Sequence, residues 1–324
     1  MAPLRPRQPQ HRQLRGGFRT VREALEAARR GQASRGRRSV AAMAMVAIAA
    51  LLLGSCSSDG DSADTPTTSE PTTSTEPEDA STTTAPDSGG ETLDILVTND
   101  DGVTAPGIDA LVNALEELPD VDITVVAPLE NRSGSSDTTT EGPVAYSDAT
   151  TVSGHEATAV DGFPADSVNV AIEEMGLDPD LVISGINAGQ NLGPVSEISG
   201  TVGAARTAAR HGIPAIATSQ GEAEEPDFES GVEQVLAWLD ENRGAILAGE
   251  LDAPDPGGPA AVFNLNIPTC ATGEVKDYVE VDLASDAEGA LTLEVDCTVE
   301  VADPDNDIEA FNSGYASLTV LTAT

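Results

Sequence analysis

Asn99-Asp100-Asp101-Gly102 sets two carboxylates side by side, directly after the apolar run Leu93 to Thr98. Neighbouring side chains of an extended segment point to opposite faces, so joint action on one ion requires a bend, and Gly102 permits it. Oxygen ligands of this kind suit a hard cation such as magnesium or manganese. A solvated Asp-Gly turn accounts for the same four residues and, taken alone, is the simpler reading.

Two further segments are rich in small residues and uncharged oxygen donors: Asn131-Arg132-Ser133-Gly134, and Ser184-Gly185-Ile186-Asn187-Ala188-Gly189-Gln190-Asn191. Each follows a strand-like run. Ser199-Gly200-Thr201 opens an alanine-rich helix, where free backbone N–H groups and the positive end of the dipole can hold a phosphate. A plain helix cap is the other reading of that tripeptide.

Rival chemistries lack their residues. The one lysine, Lys276, lies in no phosphate-binding Walker motif, and the histidines after the leader are only His155 and His211, with no G-x-S-x-G elbow. Asp303, Asp305 and Asp307 imitate the start of a calcium loop, but Ile308 takes the obligatory glycine position and Gly314 that of the bidentate glutamate. That run reads as an ordinary loop.

The elements that must position these residues alternate. A strand over Leu93–Thr98 precedes a helix from Pro106 to Leu118, and Asp122–Ala127 is a second strand. A helix over Ser167–Met175, a buried strand over Leu181–Ser184, a helix over Val202–Arg210 and a strand over Ala215–Thr218 follow. Ser230 and Glu233 read as a capping box for the next helix, and Ala261–Ile267 as one more strand. This order predicts a doubly wound, mostly parallel α/β sheet whose ligands gather beyond the strand carboxyl ends. Alternating patterns over Tyr278–Leu283, Leu291–Val301 and Ala316–Leu321 predict a small antiparallel β annex near the C-terminus.

Three regions precede or form the domain. Residues 1–56 read as a signal peptide: Arg35, Arg37 and Arg38 precede the apolar run Val40 to Leu53, which is too short for an ordinary membrane span. Leu53-Gly54-Ser55-Cys56 resembles a bacterial lipobox, with Cys56 lipidated, so the chain is expected to be exported and lipid-anchored on the outer face of the cell membrane. Residues 57–91 carry no aromatic or large aliphatic side chain and read as a disordered acidic tether. Residues 92–324 form the single catalytic domain. In an exported domain Cys270 and Cys297 are allowed to form a disulfide, two free buried thiols being the alternative.

Charge narrows the partners. The chain carries a formal net charge of −39, yet 11 of its 16 basic residues precede Cys56, and beyond that point 53 acids face five bases. Such a surface repels polymeric nucleic acid, and a small phosphorylated substrate requires a local cation.

Together TNDDGVTAPGIDAL, APLENRSGSS, VISGINAGQNLG and ISGTVGAARTAARHGIPAIATS closely resemble the SurE (survival protein E) family of 5′/3′-nucleotidases. The match runs from about Leu93 to Leu321, with FNLNIP and SGYASLTVL similar to the family's later strands. The resemblance implies a metal-dependent phosphomonoesterase acting on nucleoside monophosphates, with one divalent cation per subunit, manganese or magnesium. Its ligands would be Asp100, Asp101, the Ser133 hydroxyl and the Asn187 amide oxygen. Asn191, Ser199, Gly200 and Thr201 would surround the phosphate, and an aspartate such as Asp100 would accept the proton of the attacking water.

The chain departs from the family pattern at Val160–Ser167, in the short region from Pro268 to Asp303, at its C-terminus and in its lipoprotein leader. These departures bear on base or sugar selectivity, on whether a homodimer forms, and on localisation. Two other functions are carried forward: a broad acid phosphatase or exopolyphosphatase, and a non-catalytic ligand-binding lipoprotein.

Overall fold

The computed structural model describes residues 91–251 and 259–323 and folds their strand-like runs into one nine-stranded sheet. The expected signal peptide with Cys56, and the tether up to residue 90, lie outside the described residues.

Six central strands run parallel in the spatial order β4 (Glu156–Val160), β2 (Val121–Pro128), β1 (Leu93–Thr98), β5 (Leu181–Ala188), β6 (Ala215–Gln220), β7 (Val262–Ile267). The chain winds outward from β1 through β2 to β4, then returns to β5 on the other side of β1 and winds outward again. The direction of winding reverses between β1 and β5, where a doubly wound sheet opens a crevice beyond its carboxyl ends. At the edges, β3 (Tyr146–Thr150) is antiparallel to β4, β11 (Tyr315–Leu321) is antiparallel to β7, and β9 (Lys276–Glu280) is parallel to β11.

Helices cover both faces. On one side lie α2 (Pro164–Asn169), which continues into a π-helical turn over Val170–Glu174, and α3 (Gly200–Arg210). Alanines at 204, 205, 208 and 209 let α3 sit close to a buried row of Leu96, Val182, Ala215 and Val262. On the other side are α1 (Pro106–Leu115) and α4 (Phe228–Leu247), where Trp238 meets Phe263 of β7 at a ring-centroid distance of 5.1 Å.

Local chemistry moves several boundaries. α1 stops at Leu115, short of Leu118, because Glu117-Leu118 precede Pro119 and the residue before proline is driven out of the helical region. α2 begins earlier than Ser167, at Pro164, where the Asp166 carboxylate accepts the Phe163 N–H at 2.9 Å. α4 is capped by Asp227, which accepts the Ser230 N–H at 3.3 Å; Ser230 lies inside the helix and the expected Ser230–Glu233 box does not form.

The C-terminal antiparallel pairing belongs to the main sheet through β11, not to a separate annex. The small second sheet pairs β8 (Cys270–Thr272) with β10 (Val295–Asp296) in parallel. Most of Leu291–Val301 is irregular loop, with Leu291 and Leu293 exposed at 70% and 57%. α5 (Asp307–Asn312) precedes β11.

Candidate active site

The end of β1 delivers Asn99 to Gly102 into the crevice. The Asn99 side chain brackets the turn, donating from Nδ2 to Gly102 O (2.9 Å) and accepting the Gly102 N–H on Oδ1 (3.1 Å). Gly102 has φ +104°, a conformation natural to glycine. The expected bend is therefore present, and the two carboxylates reach different partners.

Asp100 is 2% exposed, and its Oδ1 accepts a hydrogen bond from Thr201 Oγ1 at 2.6 Å. Burial raises its pKa from 3.8 to about 6; the Thr201 hydrogen bond opposes this and the charge of Asp101 reinforces it. Asp101 links the neighbouring loops. Its Oδ1 accepts from Asn131 Nδ2 (2.8 Å) and its Oδ2 from the Ala188 N–H (3.1 Å). Asn131 in turn accepts the Ser133 N–H at 3.0 Å. Asn187 spends its amide N–H on Gly189 O at 2.5 Å, which keeps its amide oxygen for a ligand. The β5–β6 register slips between Ser184 and Asn187, the kind of irregularity that re-aims a side chain beside a site.

The structure thus ties together the loops carrying Asp100, Asp101, Ser133 and Asn187. Their donors are oxygens throughout, and among the described residues no cluster of three or more His, Cys, Asp or Glu competes with them. Two carboxylates with neutral hydroxyl and amide oxygens fit a hard divalent cation. Asp100, desolvated and without a cationic partner among the described residues, is the observation that favours one.

The start of α3 lies against Asp100. A methyl group at Gly200 would stand 2.8 Å from Asp100 Cβ and 2.9 Å from its Oδ2, so only glycine admits the carboxylate. Ser199 is the helix cap, accepting the Val202 N–H at 3.2 Å. Asn191 is tied to β6 and β7: its N–H donates to Asn266 Oδ1 (2.7 Å), its Nδ2 to Ser219 Oγ (2.9 Å), and its carbonyl accepts from Asn264 Nδ2 (2.9 Å). Among the described residues no hydrogen bond joins Asn191 to Asp100 or Thr201. Asn99, Asn131, Asn264, Asn266 and Ser219 carry no assigned role at the level of sequence, although all five lie within the motifs quoted above.

Cys270 and Cys297 are joined as a disulfide with Cα atoms 5.6 Å apart. The segment ahead of Cys297 supports the Asn191 loop, since Gln190 Nε2 donates to Ala290 O (3.2 Å) and Thr292 O (3.0 Å). Asp307 is fully buried and accepts the Gly193 N–H at 2.7 Å and the Ala284 N–H at 2.9 Å, so the run that imitates a calcium loop braces the fold instead. Both histidines serve surface pairs, His155 with Glu116 at 2.5 Å and His211 with Asn169 at 3.0 Å.

The family described as survival protein SurE matches residues 95–288. The chain belongs to the SurE family. It is 37% identical to the 5′-nucleotidase SurE of Halobacterium salinarum, over 71% of this chain and 91% of that one. To the 5′-nucleotidase SurE of Polaromonas naphthalenivorans it is 33% identical, again over 71% and 91%. The crystal structure of the SurE protein from Aquifex aeolicus superposes with a TM-score of 0.56 at 29% identity, covering 71% of this chain and 94% of that one. In the SurE family the doubly wound sheet is therefore the expected frame, and the reversal between β1 and β5 is where this chain carries its paired aspartates.

Proposed function

We propose that the chain is a phosphomonoesterase of the nucleotidase type, releasing phosphate from nucleoside monophosphates with one manganese or magnesium ion per subunit. The relatives named 5′-nucleotidase support the reaction class. The observation that carries the site is the enclosed Asp100 against the N-terminus of α3, with Asp101 beside it tied to the loops of Ser133 and Asn187.

Asp100, Asp101, Ser133 Oγ and the Asn187 amide oxygen would hold the cation. When bound, it neutralises phosphate oxygens and acidifies a water. The N–H groups at the start of α3 receive the phosphoryl oxygens, with Ser199, Gly200, Thr201 and Asn191 around them. As water attacks phosphorus and the ester oxygen leaves on the opposite side, Asp100 accepts the water's proton. The leaving oxygen takes its proton from solvent.

Phosphate release from AMP, 3′-AMP, glycerol phosphate and polyphosphate, with manganese, magnesium or chelator, tests the reading. AMP turnover should stop in chelator and fall roughly 1,000-fold in Asp100→Asn, within the range for loss of a general base. Turnover indifferent to both would overturn it. A preference for glycerol phosphate or polyphosphate would replace the nucleotidase with a broad phosphatase, and no turnover of any ester would leave a binding protein.

The export and lipid anchor at Cys56 are part of the same proposal, placing the reaction outside the cell membrane. Radiolabelled palmitate should enter the wild-type chain and not Cys56→Ser; equal labelling of both removes the anchor from the proposal.

A further inference from the structure

Four hydroxyl side chains surround the start of α3, and three are committed. Thr201 donates to Asp100 Oδ1 at 2.6 Å, Ser136 donates to Glu197 O at 2.8 Å, and Ser199 accepts the Val202 N–H at 3.2 Å. The fourth, Ser135 Oγ, is enclosed and has no hydrogen-bond partner among the described residues. Its position is held by the backbone on both sides: Thr138 N–H donates to Ser135 O (3.1 Å) and Ser136 N–H to Ile198 O (3.1 Å).

Gly200 locates this hydroxyl. A methyl group there would stand 2.8 Å from Ser135 Oγ and 2.9 Å from Asp100 Oδ2. The free hydroxyl, the buried carboxylate and the first turn of α3 therefore border one small space. A polar atom shut away from water without a partner is unfavourable, and a well-built interior leaves few of them. An alcohol O–H is a donor to anionic oxygen, which the carboxylate beside it is not.

Resting on the phosphomonoesterase reading, we infer that Ser135 is a further substrate ligand, its hydroxyl donating a hydrogen bond to a phosphoryl oxygen seated at the N-terminus of α3. As the bond to the leaving oxygen stretches, charge spreads over the equatorial oxygens, and a donor already in place needs no reorganisation to meet it. Ser135 would thereby aid the chemical step as well as binding.

The test compares wild type, Ser135→Ala and Ser135→Cys, the last close in size but a weak donor. Each is assayed on AMP and titrated calorimetrically with inorganic phosphate in saturating manganese. Both variants should lose about tenfold in kcat/KM and in phosphate affinity, the worth of one hydrogen bond to a charged group. Manganese affinity and melting temperature should hold. If wild type hydrolyses AMP while the variants keep its kcat/KM and phosphate affinity, the inference falls and the nucleotidase reading stands. A change confined to melting temperature or manganese binding makes Ser135 part of the scaffold and also overturns it. If wild type itself hydrolyses no phosphomonoester, the underlying reading fails first.

Discussion

An enclosed carboxylate such as Asp100 destabilises the fold when it ionises. Its folded pKa of about 6 exceeds the value of 3.8 it has in an open chain, so between these values the folded state holds the proton more tightly. Stability from this group is therefore full below about pH 4, declines as pH rises, and is lost above about pH 6. In chelator at pH 7.5, Asp100→Asn should raise the unfolding free energy by on the order of 2–3 kcal/mol, with no gain at pH 4. Urea unfolding at the two pH values measures this, and an equal effect at both would refute the assignment. Manganese at pH 7.5 should stabilise wild type and not the variant. The paired aspartates were legible because few residue types can do their chemistry. Ser135 was not, since a serine among serines shows nothing until its burial and lack of a partner are known.

At the scale of elements, β5, β1 and the start of α3 build the site by close approach, and Gly200 sets the distance. Gly200→Ala forces its new methyl against Asp100 and the Ser135 hydroxyl. The cost should be about 1–3 kcal/mol in stability by overpacking. Activity should drop at least about 100-fold, because a shift of an ångström at reacting groups has that effect. Thermal melts and AMP kinetics check the two, and a variant with wild-type kcat would show that Asp100 needs no such contact. Most of the alternation from Leu93 to Ile267 was legible because strand and helix periods are local properties, but β3 and β4 were not read from the sequence, both being short and β3 largely polar and exposed. The C-terminal pairing was not: β11 lies antiparallel to β7 through contacts remote in the chain. Leu291–Val301 has an alternating pattern but is mostly irregular loop, bound to β8 by a disulfide and two paired residues. The caps shifted for a simpler reason, as Asp227 and Ser230 are both good cap residues and only one can be used.

Across the molecule, the disulfide and Asp307 anchor the region that supports Gln190 and Asn191. Replacing both cysteines by serine should lower stability by about 2–4 kcal/mol. The KM for AMP should rise, as the Asn191 loop loses its backing; unchanged KM would separate that segment from the site. Charge acts over the same scale. All five basic residues beyond Cys56 are engaged. Arg206 pairs with Glu197 at 2.6 Å and Arg210 with Asp137 at 3.1 Å. Arg132 lies 3.7 Å from Asp161, and its Nε donates to Gly162 O at 3.2 Å. Arg243 donates to the Glu91 and Asp120 carbonyls, and Lys276 to those of Val299 and Ser313. With so many unopposed carboxylates, added sodium chloride should raise the melting temperature by screening self-repulsion. A melting temperature flat from low to molar salt would count against it.

Because none of those side chains is left over to follow an extended anion, an oligophosphate gains one favourable end at the site while each added unit meets more repulsion. Turnover should therefore fall steeply from the shortest to the longest member of a chain-length series, and salt should flatten that decline.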